Sequence, residues 1–338
     1  MDNLLEIRNL STSFFTHVGE VKAVRDISFT LQKGEAVGIV GESGSGKSVT
    51  MMSMMKLLTD TGKITEGSIL FDGEEITALK EKEMKKIRGN KIAMIFQDPM
   101  TSLNPVLKVE TQMLEALRLH KGLSKEEARG VSIDMLKLVG IPSPEKRLKQ
   151  YPHEFSGGMR QRVMIAMALS CQPKLLIADE PTTALDVTIQ AQILELLKDI
   201  KEKLNTSIIL ITHDLGVVAD VCNKINVMYG GRIVEKGDKR DIFYNPRHPY
   251  TWGLLESVPN PNTLIKERLK PIEGQPPDLL KPPMGCPFAP RCAYTMNICL
   301  NKMPEEFKLS NTHSAACWLN HPGAPVVQAK VIRRERHE

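Results

Sequence analysis

The sequence contains no apolar run long enough to cross a membrane. Of its 338 residues 41% are hydrophobic, but no uncharged apolar run approaches the roughly 18–20 residues that a membrane-spanning helix needs. Residues 1–6 carry acidic side chains and no basic ones, so we expect no secretory signal peptide. We therefore expect the chain to fold in the cytosol and, if it works at a membrane, to dock onto proteins that span it.

The chain also lacks an internal repeat and a strong charge of either sign. Its formal net charge of +5 suits anionic ligands or lipid headgroups, but solvated lysine faces explain it equally well. The charge gives no positive case for nucleic-acid binding. A chain of this length has room for one large and one small domain.

Strand and helix patterns alternate through the first part of the chain. The predicted elements are β-rich segments at 4–14 and 23–31, a buried strand at 35–40, a helix at 48–58, helical segments within 111–140, and two strand–helix pairs, 174–179 with 189–204 and 207–212 with a short helix from 215. Ser124 and Glu127 form a capping box. This alternation predicts a parallel sheet with right-handed crossovers. From residue 245 onward the chain is rich in proline, so we place a domain boundary there.

A glycine-rich loop follows the buried strand at 35–40. Its residues are Gly41, Glu42, Ser43, Gly44, Ser45, Gly46, Lys47 and Ser48. They match the phosphate-binding pattern G-x4-G-K-[ST] in its strand–loop–helix context, which argues against a glycine-rich turn that matches by chance. Backbone N–H groups would surround the phosphates. Lys47 is expected to reach the β- and γ-phosphates, and the Ser48 hydroxyl is expected to bind Mg²⁺.

Two carboxylates, Asp179 and Glu180, end the apolar strand at 174–179. The carboxyl edge of a parallel sheet is where ligands bind in open α/β folds. We expect Asp179 to hold Mg²⁺ and Glu180 to orient or deprotonate an attacking water. Taken alone, the pair is also compatible with a solvated strand end.

Ser156, Gly157 and Gly158 directly precede a long apolar helix. They predict a second anion-binding helix N-terminus. One ATP has no use for two such sites on one chain, so we interpret this one as serving the ATP of a partner. The simpler alternative is that Ser156 only caps the helix.

With these motifs in order, residues 4–237 resemble the ATP-binding-cassette (ABC) ATPases. The resemblance implies that Gln97 is the Q-loop glutamine, that 155–159 is the family signature with Met159 in place of the usual glutamine, and that His213 is the switch histidine contacting the γ-phosphate. The D-loop would be Ala184, Leu185 and Asp186. Phe14 lies where the family stacks an aromatic on adenine, and Phe15 is the alternative; either is also compatible with a core position.

The resemblance implies an α/β fold of the P-loop NTPase class, with a RecA-like core, an ABC β-subdomain and an inserted helical subdomain over about 98–165. The nucleotide-binding domain would span 1–244, and 245–338 would form a small C-terminal loop domain rich in Pro and Cys. ATP with Mg²⁺, bound through Ser48, Gln97 and Asp179, would lie between the phosphate loop of one subunit and the signature of another. Glu180, His213 and Gln97 would carry catalysis.

Three further segments narrow the resemblance to the D-type ATPase subunits of oligopeptide and dipeptide importers. They are residues 153–162, the His248-Pro249-Tyr250 element, and 285–292. This implies a peripheral protein at the cytoplasmic face, with two permease subunits, an extracytoplasmic substrate-binding protein and a second, non-identical cassette as partners; a homodimer remains an alternative.

Other functions of the same family remain open. Importers of nickel or other small solutes share the architecture. Cassettes that act on DNA or ribosomes carry a long coiled coil or a tandem cassette, and this sequence has neither. The His-Pro-Tyr element argues against an exporter.

Four of the six cysteines crowd the C-terminal part, with the spacing C-x5-C-x6-C-x17-C at Cys286, Cys292, Cys299 and Cys317. The C-x2-C pairs of zinc ribbons are absent. Four thiolates on a loop-rich stretch suit an iron–sulfur cluster, and the family resemblance implies [4Fe–4S]. Zinc, with His313, and four free thiols remain alternatives. Cys171 and Cys222 are expected to be core thiols.

Overall fold

The structure is a computed structural model that describes residues 3–97, 102–183, 185–257 and 271–327. Its strands are β1 (Asn3–Thr16), β2 (Gly19–Gln32), β3 (Ala36–Val40), β4 (Gly62–Phe71), β5 (Glu74–Glu75), β6 (Ile92–Ile95), β7 (Leu175–Asp179), β8 (Ser207–Thr212), β9 (Lys224–Tyr229), β10 (Arg232–Asp238), β11 (Phe307–Lys308) and β12 (Ser314–Ala315). Its helices are α1 (Lys47–Met55), α2 (Glu81–Ile87), α3 (Val109–Lys121), α4 (Lys125–Leu138), α5 (Pro144–Arg147), α6 (Gly157–Leu169), α7 (Val187–Leu204), α8 (Leu215–Val221), α9 (Lys239–Tyr244), α10 (Pro249–Glu256) and α11 (Asn297–Asn301).

The chain divides into two compact units. The first, here called the helical unit, comprises Met1–Leu4, Leu31–Ala36 and Ala78–Ile211. The second, the phosphate-loop unit, comprises Leu5–Thr30, Val37–Thr77 and Thr212–Glu338. The described residues after 245 thus share a compact unit with the phosphate loop, and the domain boundary at 245 stays a prediction.

The helical unit combines a parallel sheet with a helical layer. Strand β7 pairs in parallel with both β6 and β8, and helices α3, α4 and α6 pack against one another. Leu114, Leu117, Ala128 and Cys171 form a buried cluster among these helices, which confirms Cys171 as a core thiol. Residues 98–101, where the predicted helical subdomain begins, lie outside the described residues.

The phosphate-loop unit contains an antiparallel sheet with the strand order β2-β1-β4-β5. Its second set of strands begins with β3, which is parallel to β9. Strand β9 is antiparallel to β10, and β10 continues antiparallel to β12 and then β11. The C-terminal strands therefore extend the sheet that carries the phosphate loop.

Most of the predicted elements are confirmed within a few residues. The capping box forms, since Ser124 Oγ accepts the N–H of Glu127 and the Glu127 carboxylate accepts the N–H of Ser124. The apolar stripe of α7 is buried at Ile193, Leu196 and Leu197, because a period of 3.6 residues directs those side chains to one face. Within the described ranges no helix is both long and apolar enough to cross a bilayer.

A buried carboxylate fastens the His-Pro-Tyr element to the sheet of the phosphate-loop unit. Glu235 on β10 is 1% exposed and accepts the backbone N–H groups of Arg247 and His248 at 2.6 and 3.0 Å. Its other contact is with His313 Nε2 at 2.8 Å. Since a buried carboxylate is tolerated only when its oxygens are hydrogen-bonded, Glu235 joins β10, the start of α10 and the turn before β12.

We expect Glu235→Ala to lower the free energy of unfolding by about 3 kcal/mol, because two backbone donors and a histidine lose a buried acceptor. Denaturant unfolding measures the loss. The matched control is Glu305→Ala, at an exposed glutamate of the same C-terminal part, with a change below about 0.5 kcal/mol. Equal midpoints for the two variants would contradict the role given to Glu235.

Candidate active site

The phosphate loop connects β3 to α1 and depends on glycine at two close approaches. Gly46, the N-cap of α1, has φ +99°, and a Cβ there would lie 2.5 Å from the carbonyl oxygen of Ala23. A Cβ on Gly41 would lie 2.1 Å from the carbonyl oxygen of Met228. A side chain at Gly41 would clash with the end of β9 and one at Gly46 with β2, so these two glycines are required by packing as well as by backbone conformation.

Lys47 points back into its own loop. Its side chain is buried, and Nζ donates to the carbonyl oxygens of Gly41 and Glu42 at 2.7 and 2.8 Å. The Ser45 hydroxyl is also buried and has no hydrogen-bond partner within the described residues. Ser48 follows in the first turn of α1. The loop thus gathers an ammonium group and a hydroxyl donor at a helix N-terminus, an arrangement that binds phosphate.

The acidic pair lies at the end of β7 in the helical unit. Asp179 is buried, and Glu180 leaves the strand in the left-handed region with φ +46°. The Glu180 carboxylate accepts hydrogen bonds from Gln97 Nε2 and Thr183 Oγ1, both at 2.9 Å. The structure therefore joins the predicted Q-loop glutamine to the predicted base. A non-glycine residue in this backbone region is uncommon.

Ser156 begins α6 as its N-cap, and its hydroxyl accepts the N–H of Met159 at 3.4 Å. Ser156 and Gly157 are exposed. A Cβ on Gly158 would lie 2.9 Å from the Ile189 side chain, so the signature helix begins against the first turn of α7. The capping function that the sequence left as an alternative is present, and it leaves the helix N-terminus facing solvent.

Asp186 and His213 each lie at the start of a helix. Asp186 is the N-cap of α7 and accepts the N–H of Ile189 at 2.9 Å; Ala184 lies outside the described residues. His213 is exposed between β8 and α8, and the next residue, Asp214, caps α8 through the N–H of Gly216. Asp186 belongs to the helical unit and His213 to the phosphate-loop unit.

The two aromatic candidates for adenine stacking differ in exposure. Phe14 is half-buried and lies against Gly62, where a Cβ would be 2.8 Å from its ring. Phe15 is 46% exposed, and Lys63 Nζ lies 5.9 Å from its ring centre. Stacking of either ring on adenine stays a prediction.

The four C-terminal cysteines line one cavity of about 10 Å³ together with His248. Burial raises the pKa of Cys286 to about 11 and of Cys317 to about 12, and it also raises the pKa of Cys292. Among the residues that the structure describes, no group of three or more His, Cys, Asp or Glu side chains is arranged to hold a metal ion.

His248 adds an unsatisfied donor to this cavity. Its Nδ1 accepts the N–H of Tyr250, so the ring proton lies on Nε2, which has no partner in the described part of the chain. Burial lowers the pKa of His248 to about 3, so the ring is neutral. The His-Pro-Tyr element was noted in the sequence, but its place beside the cysteines was not predicted.

Three contacts of the site were not predicted from the sequence. Thr183 donates to Glu180, and it was within reach of local reasoning because a hydroxyl lies three residues after the carboxylate. Tyr250 and Arg291 both bind Glu42 of the phosphate loop. No local pattern connects these two residues to Glu42, because 208 and 249 residues separate them from it.

Comparisons with known proteins agree with the motifs. Residues 24–183 match the ABC transporter family, and residues 234–299 match the C-terminal region of oligopeptide/dipeptide transporters. The oligopeptide transport ATP-binding protein OppD of Bacillus subtilis is 58% identical over 96% of this chain and 91% of its own length. The dipeptide transport ATP-binding protein DppD of the same organism is 58% identical over 94% and 95%.

Solved structures give the same fold. The dimeric ATP-binding cassette MJ0796, bound to ADP and Pi in a post-hydrolysis state, is 29% identical with a TM-score of 0.63 and covers 70% of this chain and 99% of its own. The cassette cbiO1 from Clostridium perfringens, part of the transporter complex cbiONQ, is 30% identical with a TM-score of 0.61, over 72% of this chain and 91% of its own. The predicted P-loop cassette fold is confirmed, whereas the separate Pro/Cys-rich C-terminal domain stays a prediction. On its motifs and its relatives, the chain belongs to the ABC transporter ATP-binding proteins of the oligopeptide and dipeptide transport family.

Proposed function

We propose that this chain is the ATP-hydrolysing subunit of an importer of dipeptides or oligopeptides and works at the cytoplasmic face of the cell membrane. The observation that carries the proposal is the phosphate loop, in which Lys47 and the unpartnered Ser45 hydroxyl converge at the N-terminus of α1. The substrate class comes from the relatives, which are named as oligopeptide and dipeptide transport proteins.

When ATP binds, contacts within the loop would be replaced by contacts with its phosphates. Lys47 Nζ would replace the carbonyl oxygens of Gly41 and Glu42 with phosphate oxygens, and Ser45 Oγ would gain an acceptor. Ser48, Asp179 and Gln97 are the side chains that would hold Mg²⁺. The ion supplies charge neutralisation for the phosphates.

Glu180 is the proposed general base. It would take a proton from a water molecule whose oxygen attacks the γ-phosphorus, while the bond from that phosphorus to the bridging oxygen of ADP breaks and phosphate leaves. Its hydrogen bonds with Gln97 and Thr183 fix the carboxylate in one rotamer, which lowers the entropic cost of reaction. His213 is the proposed contact to the γ-phosphate.

The signature would serve a partner's ATP. Ser156 and Gly157 are exposed at the start of α6, and contacts there use Ser156 and backbone N–H groups, so Met159 in place of glutamine is tolerated. Asp186 would lie at the contact between cassettes. The cassette MJ0796 is described as dimeric. We infer a second cassette, two permease subunits and an extracytoplasmic binding protein as partners.

Two substitutions separate binding from turnover. Glu180→Gln keeps the shape of the side chain but removes the base, so we expect ATP to bind normally while hydrolysis falls about 1,000-fold. Lys47→Ala removes the ammonium group, so we expect ATP affinity itself to fall about 100-fold. Titration with a fluorescent ATP analogue and phosphate release measure the two effects.

The matched controls are exposed residues of the same types, Glu202→Gln and Lys22→Ala, and both should bind and hydrolyse ATP like the unchanged chain. Normal turnover by Glu180→Gln would show that another group is the base. Normal ATP affinity in Lys47→Ala would show that the phosphate loop does not bind ATP.

The transport function predicts that hydrolysis depends on the membrane partners. We expect slow ATP hydrolysis by the chain alone and a rise of at least about tenfold in vesicles with its permeases, its second cassette and a peptide-loaded binding protein. Phosphate release with and without peptide tests this. Stimulation by Ni²⁺ instead of peptide would favour a nickel importer, and full activity of the isolated chain would contradict coupling.

We also propose that Cys286, Cys292, Cys299 and Cys317 hold a [4Fe–4S] cluster. The four thiols supply the ligand type and line one cavity, and the unsatisfied His248 Nε2 is a donor suited to an anionic sulfur, but in this structure the described side chains are not arranged as a metal site. The cavity has about the volume of one water molecule, so the cysteine loops must move apart on loading. When bound, the cluster would supply four iron–thiolate bonds that join these loops.

Anaerobically purified protein should contain about four irons per chain and absorb visible light as an iron–sulfur protein does. Cys299→Ser should lower the iron content at least about twofold, because one thiolate ligand is lost. Cys171→Ser, in the buried cluster of the helical unit, should leave it unchanged. Colourless, iron-free protein from cells able to build iron–sulfur clusters would contradict the proposal. Protein that contains zinc instead of iron would show that zinc is the metal bound.

A further inference from the structure

Two residues from the C-terminal part of the chain bind Glu42 of the phosphate loop, one at its backbone N–H and one at its carboxylate. Its backbone N–H donates to the Tyr250 hydroxyl at 2.8 Å. Its two carboxylate oxygens accept hydrogen bonds from the Arg291 guanidinium at 2.5 and 3.0 Å. All three residues belong to the phosphate-loop unit. Glu42 therefore has little freedom to move without Tyr250 and Arg291.

Arg291 occupies a site built for a guanidinium group. Besides its two bonds to Glu42, it donates from Nε to the carbonyl oxygen of Glu273, from one terminal nitrogen to Tyr229 Oη and from the other to the carbonyl oxygen of Ile272. All five N–H donors are thus satisfied, and the side chain is only 4% exposed. A lysine has three donors and a different geometry, so it would not reproduce this set.

Aromatic rings hold the two partners of Glu42 in place. The Tyr229 ring lies 4.5 Å from that of Tyr250 and 5.2 Å from that of Phe288, centre to centre, and the Arg291 guanidinium lies 5.7 Å from the Tyr229 ring. Burial raises the pKa of both Tyr229 and Tyr250, so both hydroxyls stay protonated at neutral pH. The cluster is rigid because close-packed rings in tilted and edge-to-face contact leave few alternative rotamers.

The position of Glu42 bears directly on phosphate binding. Glu42 and Gly41 supply the carbonyl oxygens that Lys47 Nζ now contacts, so the same peptide is fixed by Tyr250 on one side and by Lys47 on the other. The Glu42 carboxylate is also a negative charge in a loop that must accept the negative charge of ATP. Arg291 neutralises that charge.

We propose that Arg291 and Tyr250 are positioning residues of the phosphate loop, through which the C-terminal region sets the affinity of the loop for ATP. Arg291 cancels the charge of the Glu42 carboxylate, and Tyr250 fixes the orientation of its peptide. Neither residue contacts phosphate; both act through Glu42. This inference rests on the proposed binding of ATP at the loop and adds to it two residues, 208 and 249 positions after Glu42 in the chain, that control it.

The test measures ATP affinity of the full chain by titration with a fluorescent ATP analogue. Arg291→Gln should weaken binding about tenfold, because an uncompensated carboxylate is left beside the anion site. Adding Glu42→Gln to the same chain should restore the affinity to within about threefold of the unchanged protein, because the uncompensated charge is gone. Arg240→Gln, at an exposed arginine on α9, is the matched control and should bind ATP normally.

Tyr250→Phe provides an independent measurement with a nearly isosteric side chain. Loss of the hydroxyl leaves the Glu42 N–H without its acceptor, so we expect about threefold weaker ATP binding and an unchanged rate at saturating ATP. The KM for ATP should rise in the same way in Arg291→Gln, while kcat is kept. Circular dichroism melting curves identify any variant that fails to fold.

Three results would overturn the proposal. They are normal ATP affinity in both Arg291→Gln and Tyr250→Phe, a double variant that binds as weakly as Arg291→Gln alone, or a fall in kcat without a change in KM. An unchanged chain that binds no ATP would instead overturn the proposed function, so the two failures are distinguishable.

Discussion

The phosphate loop has to concentrate hydrogen-bond donors and positive charge in one turn. The structure meets this constraint by directing Lys47 onto the carbonyl oxygens of Gly41 and Glu42. The buried ammonium group is thereby solvated by its own loop, since a buried charge without partners would be costly. Glycines at the contacts with β9 and β2 let the loop lie close enough to form this arrangement. The loop therefore keeps its positive charge at the N-terminus of α1.

The carboxylate proposed as the base is constrained in a different way. Glu180 leaves β7 with φ +46°, a conformation that costs roughly 1–2 kcal/mol for a residue with a Cβ. The hydrogen bond from its N–H to the carbonyl oxygen of Ile211, together with the bonds from Gln97 and Thr183, offsets that cost. The strain and the three bonds together aim the carboxylate in one direction. A change at Gln97 would alter the environment of Glu180 without changing the carboxylate itself.

The sequence was sufficient for features that are local or periodic. The glycine spacing of the phosphate loop, the stripe on α7 and the capping box at Ser124 each follow from residues within a few turns of one another, and all three are present. The four-cysteine spacing predicted a metal centre; the four thiols do line one cavity, but the described residues are not arranged to hold a metal ion, and the cluster stays a prediction.

Contacts between distant parts of the chain could not be predicted in this way. The bonds from Tyr250 and Arg291 to Glu42 depend on how β9 and β10 bring the C-terminal region beside the loop. Composition and spacing carry no information on which partner a particular glutamate will find at such separations. The contact of Glu235 with His313 is a similar case, because 78 residues separate the two and the pairing of β12 with β10 brings them together.

In the C-terminal region, residues that line the cysteine cavity lie within two positions of residues that bind the phosphate loop. His248 lines the cavity, and its Nδ1 accepts the N–H of Tyr250, whose hydroxyl accepts the N–H of Glu42. Arg291 directly precedes Cys292 and binds the Glu42 carboxylate. The same short segments of the C-terminal region therefore line the cysteine cavity and contact the phosphate loop.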